Sequence, residues 1–308
     1  MPLLVGLLDA EHNPDAMLLA ARALTHLADV LPPARASIVQ HGALPGFCAR
    51  LLTIEYIDLA EQSLQALEKL SQEHGAACIM AGGLTAVLTY LDFFSIGLQR
   101  VAVATAANMC RQLPRETHDR VLEAAPQLTQ LLHSEDAKLV EHAAKALSRA
   151  ASSFASSADK VAALCVPELL ERALRLISAS GHATPLTAAT YSALIALLGA
   201  ACRGCPGAAE TLLSLGAAGT IAAALRAAGA ATPGASPSGH LASPEQLLSA
   251  VALLNDMLPP VPEANAAVAN PASSSSPAAA AAAPLPASAG RGSGRAAPRR
   301  SRPPPTAR

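Results

Sequence analysis

"LLTIEYIDLAEQSLQALEKLSQEH", residues 51–74, decides the fold. For most of its length it reads as an amphipathic helix. It opens, however, on Thr53-Ile54-Glu55-Tyr56-Ile57, β-branched and aromatic residues that favour strands, and runs from them straight into strong helix formers. This reads as a corner. One helix ends, the chain bends, and a longer helix packs back on the first. Tyr56 and Ile57 plug the bend, and Asp58 caps the long helix.

The same plan recurs on both sides, and a recurring period outranks other signals. Units are read at 2–43, 44–83, 84–126, 127–168, 169–217 and 218–260. Each holds a short apolar helix, a polar corner, a long helix with an "ALxxL"-like core, and a short closing helix. The equivalent positions Leu24, Leu67, Ala106, Leu147 and Leu194 lie about 40 residues apart. In the first unit Leu3, Leu4, Leu7 and Leu8 make one stripe, and Leu19, Ala20, Ala23, Leu24 and Leu27 a second. Pro14 breaks the chain between them, with Asp15 as the cap of the second helix. Gly42 and the pair Gly82-Gly83 stand where a short helix must end and the chain must turn. No unit can bury its stripes alone, so the units must stack. "SIVQHGALP", residues 37–45, is similar to the armadillo repeat, and the expected fold is an all-α, right-handed armadillo-type solenoid. From 262 to 308 the chain is Pro/Ala/Ser/Arg-rich and is expected to be disordered. Residues 229–244 read as a loop within the last unit.

Composition agrees with a helical body. The chain is 51% hydrophobic but only 2% aromatic, with no Trp, so its apolar content is mostly Ala and Leu. Six of its 22 basic residues lie beyond residue 290 and no acid lies beyond Glu263, leaving 16 basic against 23 acidic residues before that point. An acidic body argues against specific nucleic-acid binding. The uncharged run at 186–202 is short for a membrane span and reads as a buried solenoid helix, so no membrane partner is expected.

No catalytic constellation, cofactor motif or metal set emerges. Cys202-Arg-Gly-Cys205 is a Cys-x-x-Cys, but neither His182 nor His240 completes a zinc pattern, and the pair ends an Ala/Leu helix instead of opening one. All six cysteines are read as structural. His12, His41, His74, His133 and His182 fall at helix ends or corners, and Glu61, Glu68, Glu141 and Asp136 are read as solubilising charges. What remains is a binding scaffold. Aligning the long helices places His26, Lys69, Asn108 and Arg149 at one position. Arg22, Gln65 and Lys145 lie one turn before it, and Asp29, Gln72 and Arg111 about one turn after. These ten residues form the candidate partner-binding groove, a polar and moderately basic stripe suited to an acidic or extended peptide.

Three strings, "PLLVGLLDAEHNPDAMLLAARALTHLADVLP", "ARLLTIEYIDLAEQSLQALEKLSQEH" and "AVLTYLDFFSIGLQRVAVATAANMCRQLP", resemble the armadillo region of HECT-type ubiquitin-protein ligases. These are the plant KAKTUS class and the thyroid-receptor-interactor type of animals. The likeness runs from residue 2 to about 147, fades, and returns at 253–263. It includes the corner strings, which the repeat does not require. It implies a role in ubiquitin transfer in nucleus and cytoplasm, with the solenoid holding protein substrates, adaptors or ubiquitin-pathway components as extended segments. No HECT cysteine is present after Cys205, so the chain is expected to be a non-catalytic arm, and it starts at the second helix of a unit. The other readings are a free-standing armadillo adaptor and, more remotely, a thiol enzyme using Cys202 and Cys205. The Trp/Asn ladder of import receptors is missing.

Overall fold

The computed structural model describes residues 1–10, 12–53, 55–179, 186–229 and 244–258. The reading of 262–308 as a disordered tail lies outside these residues, as does all but the two ends of the loop read at 229–244; Gly229 and Pro244 belong to helices. Among the described residues fifteen α-helices succeed one another: α1 Pro2–Gly6, α2 Pro14–Val30, α3 Ala34–Gln40, α4 Ala43–Leu51, α5 Ile57–Met80, α6 Gly83–Thr89, α7 Ile96–Met109 and α8 His118–Leu131. Then come α9 Ala137–Phe154, α10 Ala158–Leu164, α11 Pro167–Ala179, α12 Ala188–Gly204, α13 Pro206–Ser214, α14 Ala217–Gly229 and α15 Pro244–Asp256. Among the described residues there is no strand.

The long helices α2, α5, α7, α9, α12 and α15 stack in that order, each packing on the next, while shorter helices pack beside them. That is the ladder of an armadillo-type solenoid. Leu24, Leu67, Ala106, Leu147 and Leu194 all sit in its core, each no more than 1% exposed. Ala at every third or fourth position lets neighbouring helices approach closely, and Leu fills the gaps between them.

Two chain breaks show how the units are joined. Gly42 and Gly82 have φ of 78° and 87°, left-handed values that an L side chain resists, and each turns a short closing helix into the next unit. In α5, His74 leaves helical geometry at φ −118° and ψ 37°, so the long and the closing helix meet at a bend. Gly75 then passes the end of α7 so closely that a Cβ there would lie 2.9 Å from the Met109 carbonyl oxygen. The junction at Pro126 behaves differently. Here α8 continues through the proline, so the boundary read at 126–127 falls within a helix.

Several local readings are corrected. Asn13, not Asp15, caps α2, its side chain accepting from the Ala16 amide at 3.0 Å, because Pro14 occupies the first helical position. Asp58 likewise lies in the first turn of α5 without capping it, and Tyr56 stands at the cap position with no side-chain bond. Tyr56 packs against the core, whereas Ile57 is exposed. In α2 the buried face runs through Met17, Ala20, Ala21, Leu24 and Ala28, leaving Leu19 65% exposed. In a helix this rich in Leu and Ala, periodicity offers two stripes; contact with α5 selects one. Leu3 and Leu7 of the first stripe are also exposed, while Leu8 is fully buried.

Charges read as surface solubilisers hold structural positions. Asp136 caps α9 through the Lys138 and Leu139 amides, both at 3.0 Å, and pairs with Arg100 at 2.5 Å. Glu141 is only 5% exposed. His118 is buried too, its ring 4.5 Å from that of Phe154.

Candidate functional site

The long helices α2, α5 and α7 present one continuous polar face. Arg22, His26 and Asp29 stand on α2, and Gln62, Gln65, Glu68 and Lys69 on α5. With Val101 and Ala104 of α7 they line a cavity of about 570 Å³. Lys69 lies 3.0 Å from the Asp29 carboxylate and 3.4 Å from that of Glu68. The hydrogen bond to Asp29 and the nearby Glu68 charge hold its ammonium above the ordinary lysine range. Gln72 donates to Glu68 at 2.8 Å, and Gln62 to Gln65 at 3.4 Å. The wall is therefore a mesh of amides and paired charges, with an apolar floor supplied by α7.

About one turn further along the same face, a second cavity of about 530 Å³ opens where α5 bends. Gln72, His74, Asn108, Arg111 and Gln112 are among its lining residues. Arg111 reaches the Asn108 side-chain oxygen at 3.5 Å, and the Nε2 of His74 is buried without a partner. Eight of the ten expected groove residues thus line one or other cavity.

Lys145 and Arg149 line neither cavity. Lys145 is 2.6 Å from Glu141. Arg149 donates to the Ala107 carbonyl oxygen and so ties α9 to α7; burial, with Arg111 close by, lowers its pKa. Lys69, Lys145 and Arg149 are engaged within the fold, and Arg22 remains an exposed cation with no ion pair among the described residues. Gln62, Glu68 and Gln112 also line the cavities, outside the expected set. Gln62 and Glu68 lie one turn on either side of Gln65, so helical spacing alone places them on the same face.

The thiols are poorly placed for reaction. Burial pushes Cys48, Cys78, Cys110 and Cys165 up to about 12 and Cys202 up to about 11; Cys205 is partly exposed. Among the described residues no three His, Cys, Asp or Glu side chains gather as a metal site. Nor is any single helix there long and apolar enough to cross a membrane, although α13 and part of α14, bent by 69°, together reach that length.

Residues 1–80 match a family described as E3 ubiquitin-protein ligase TRIP12-like, TPR repeats. Tetratricopeptide units are helix pairs of 34 residues. The units here carry three helices and recur at about 40 residues, so the geometry is that of armadillo repeats. The chain is 51% identical over 267 residues to the E3 ubiquitin-protein ligase UPL3 of Arabidopsis thaliana, covering 85% of this chain and 14% of that protein. To the E3 ubiquitin-protein ligase TRIP12 of Danio rerio it is 34% identical over 264 residues, covering 85% and 13%. The chain therefore spans about one seventh of the length of these relatives. Among solved structures, a designed armadillo repeat protein superposes with a TM-score of 0.65 at 19% identity, covering 83% of this chain and 99% of that one. Another, solved in complex with the peptide (KR)4, gives 0.64 at 18% identity over 83% and 99%. The chain is an armadillo-type repeat segment homologous to those of the TRIP12- and UPL3-type E3 ubiquitin-protein ligases.

Proposed function

We propose that this chain is the partner-binding arm of a HECT-type ubiquitin ligase, holding protein substrates or adaptors as extended segments along the face of α2, α5 and α7. The observation that carries the reading is the pair of cavities lined by Gln62, Gln65, Gln72, Asn108 and Gln112. Side-chain amides both donate and accept, which suits the alternating N–H and C=O groups of an extended backbone. Paired charges around them keep the face close to neutral, so backbone recognition outweighs steering of acidic segments. A designed protein of the same fold was solved in complex with a peptide, (KR)4, which supports peptide binding by a scaffold of this kind.

The arm itself does no chemistry. Ubiquitin transfer through a thioester needs an accessible thiol with a lowered pKa, and burial raises five of the six thiols here. Nuclear and cytoplasmic residence is proposed with the ligase reading, and imaging of the tagged chain tests it. For binding, labelled ten-residue unstructured peptides are screened against the full chain. Gln62→Ala/Gln65→Ala/Asn108→Ala should weaken the best binders at least ten-fold, with an unchanged melting temperature; undiminished binding overturns the groove. For chemistry, the chain is incubated with ubiquitin-charged conjugating enzyme and run on a non-reducing gel. A thiol-sensitive ubiquitin adduct overturns the non-catalytic reading.

A further inference from the structure

We propose that the two successive helix corners at residues 52–58 and 90–96 form a second docking edge, which takes a protein segment presenting a basic side chain flanked by apolar ones. Because α4 packs on α6 and α5 on α7, the corners succeed one another along one edge, about 10 Å apart at ordinary helix spacing. Both carry large apolar side chains that the fold leaves in solvent: Ile57 is 62% exposed, Phe93 73% and Ile96 48%. The ring of Phe93 is held edge-on against Tyr90, with centroids 5.8 Å apart and planes at 77°, so it stands fixed instead of folding into the core. Single exposed apolar residues are ordinary, but several along one edge mark an interaction surface. These residues also belong to the corner strings that the repeat does not require.

The chemistry of the occupant is set by the cavity beside the first corner. It measures about 410 Å³, with Leu18, Tyr56 and Ile57 giving apolar walls and Asp15, Glu55 and Asp58 a carboxylate rim; no cationic side chain lines it. None of the three carboxylates forms an ion pair among the described residues, and all three are exposed. Asp15 and Asp58 also offset the positive ends of α2 and α5. Glu55 stands outside any helix and has no such role. A guanidinium or ammonium group would find three negative partners and the face of Tyr56, while its apolar neighbours cover Ile57 and Phe93. An acidic segment would be repelled. This edge adjoins the amide-lined face and recognises different chemistry, so the two sites can be tested separately.

The probe is a fluorescein-labelled heptapeptide of alternating leucine and arginine, titrated into the full chain by anisotropy. Controls replace its arginines by glutamate or its leucines by serine. The expected result is saturable binding of the leucine–arginine peptide below about 1 mM, with both controls at least ten-fold weaker. Glu55→Lys and Phe93→Ser should each cut that binding at least ten-fold with unchanged circular dichroism, while Gln65→Ala leaves it alone. Equal binding by the glutamate peptide, no binding at about 1 mM, or insensitivity to both substitutions overturns the proposal. Self-association of the chain that Phe93→Ser abolishes also overturns it, because the edge would then serve a second copy.

Discussion

The joint between α2 and α5 and the joint between α9 and α12 use the same packing of long helices, yet they treat charge in opposite ways. At the first, Lys69 of α5 meets Asp29 of α2 at 3.0 Å with both side chains partly in solvent, beside a cavity of about 570 Å³. At the second, the buried carboxylate of Glu141 accepts from Lys145 at 2.6 Å, from Lys138 at 3.2 Å and from the Thr187 hydroxyl at 3.1 Å. Thr187 in turn caps α12 through the Thr190 amide. Burial alone would raise the Glu141 carboxyl, but these hydrogen bonds outweigh it and hold it down at about 2. One joint keeps polar groups available to a ligand. The other uses them to hold two units together. Lys145 holds the repeat position of Arg22 and Gln65, yet it is engaged with Glu141 while they line the open cavity. Equivalent positions in a repeat therefore do not have equivalent roles, and aligned sequence cannot separate the two cases without knowing depth.

The sharpest way to break the comparison is to delete each carboxylate. Glu141→Ala leaves Lys145 and Thr187 without their acceptor and should cost about 2–3 kcal/mol, read as a lowered urea midpoint. Asp29→Ala should cost less than about 1 kcal/mol, as exposed pairs do. Equal losses would show that the two joints are not different in kind.

Next in size is the bend in α5 that opens the second cavity. Gly75→Ala places a Cβ against the Met109 backbone, which cannot swing aside, and should destabilise by about 1–3 kcal/mol. Gly219 in α14 has nothing within 4 Å of its added Cβ. There the same substitution should stabilise, by up to about 1 kcal/mol, through helix propensity. Chemical denaturation of the two variants side by side checks both signs.

Acid should separate the seams in order. Burial pushes the imidazoles of His118 and His142 below the usual 6.5. The unfolded chain therefore takes up those protons first, and stability falls as pH drops from about 6.5. Glu141 contributes stability that is complete above its ordinary 4.5 and is lost as pH falls toward about 2. Urea midpoints measured from about pH 8 to about pH 2, a window that covers both shifts, should fall in two stages. His118→Phe should flatten the first stage and Glu141→Gln the second.

Much of this architecture was legible in the sequence because stacking is enforced by apolar period: Leu24, Leu67 and Leu147 mark the core wherever they recur. The face lined by Gln65, Gln72 and Asn108 was legible for the same reason, since residues one turn apart share a side of a helix. Three things were not. Leu19 and Leu24 are chemically alike, so only contact with α5 decides which is buried. Glu141 looks like any surface acid until Thr187, 46 residues away, closes over it. The engagement of the stripe's cations was hidden because pairing depends on distances across helices: Lys69 has Asp29 opposite, and Arg149 reaches the carbonyl of Ala107.

The smallest expected change in stability falls on Lys69, and it gives the finest test of what the open joint is for. Its ammonium is about one-third exposed, and its partners Asp29 and Glu68 would be resolvated when it is lost, so Lys69→Met should shift stability by less than about 0.5 kcal/mol. Its effect on binding has a definite sign. Removing the cation leaves Asp29 and Glu68 unneutralised on the cavity wall and turns a nearly neutral face negative. Peptides with acidic side chains should then bind more weakly than to the unmodified chain, basic ones more tightly, and neutral ones almost unchanged. Raising salt should shrink the first two differences, since they act between exposed charges. If instead all three classes weaken together, Lys69 contacts the ligand directly, and charge balance is not its role.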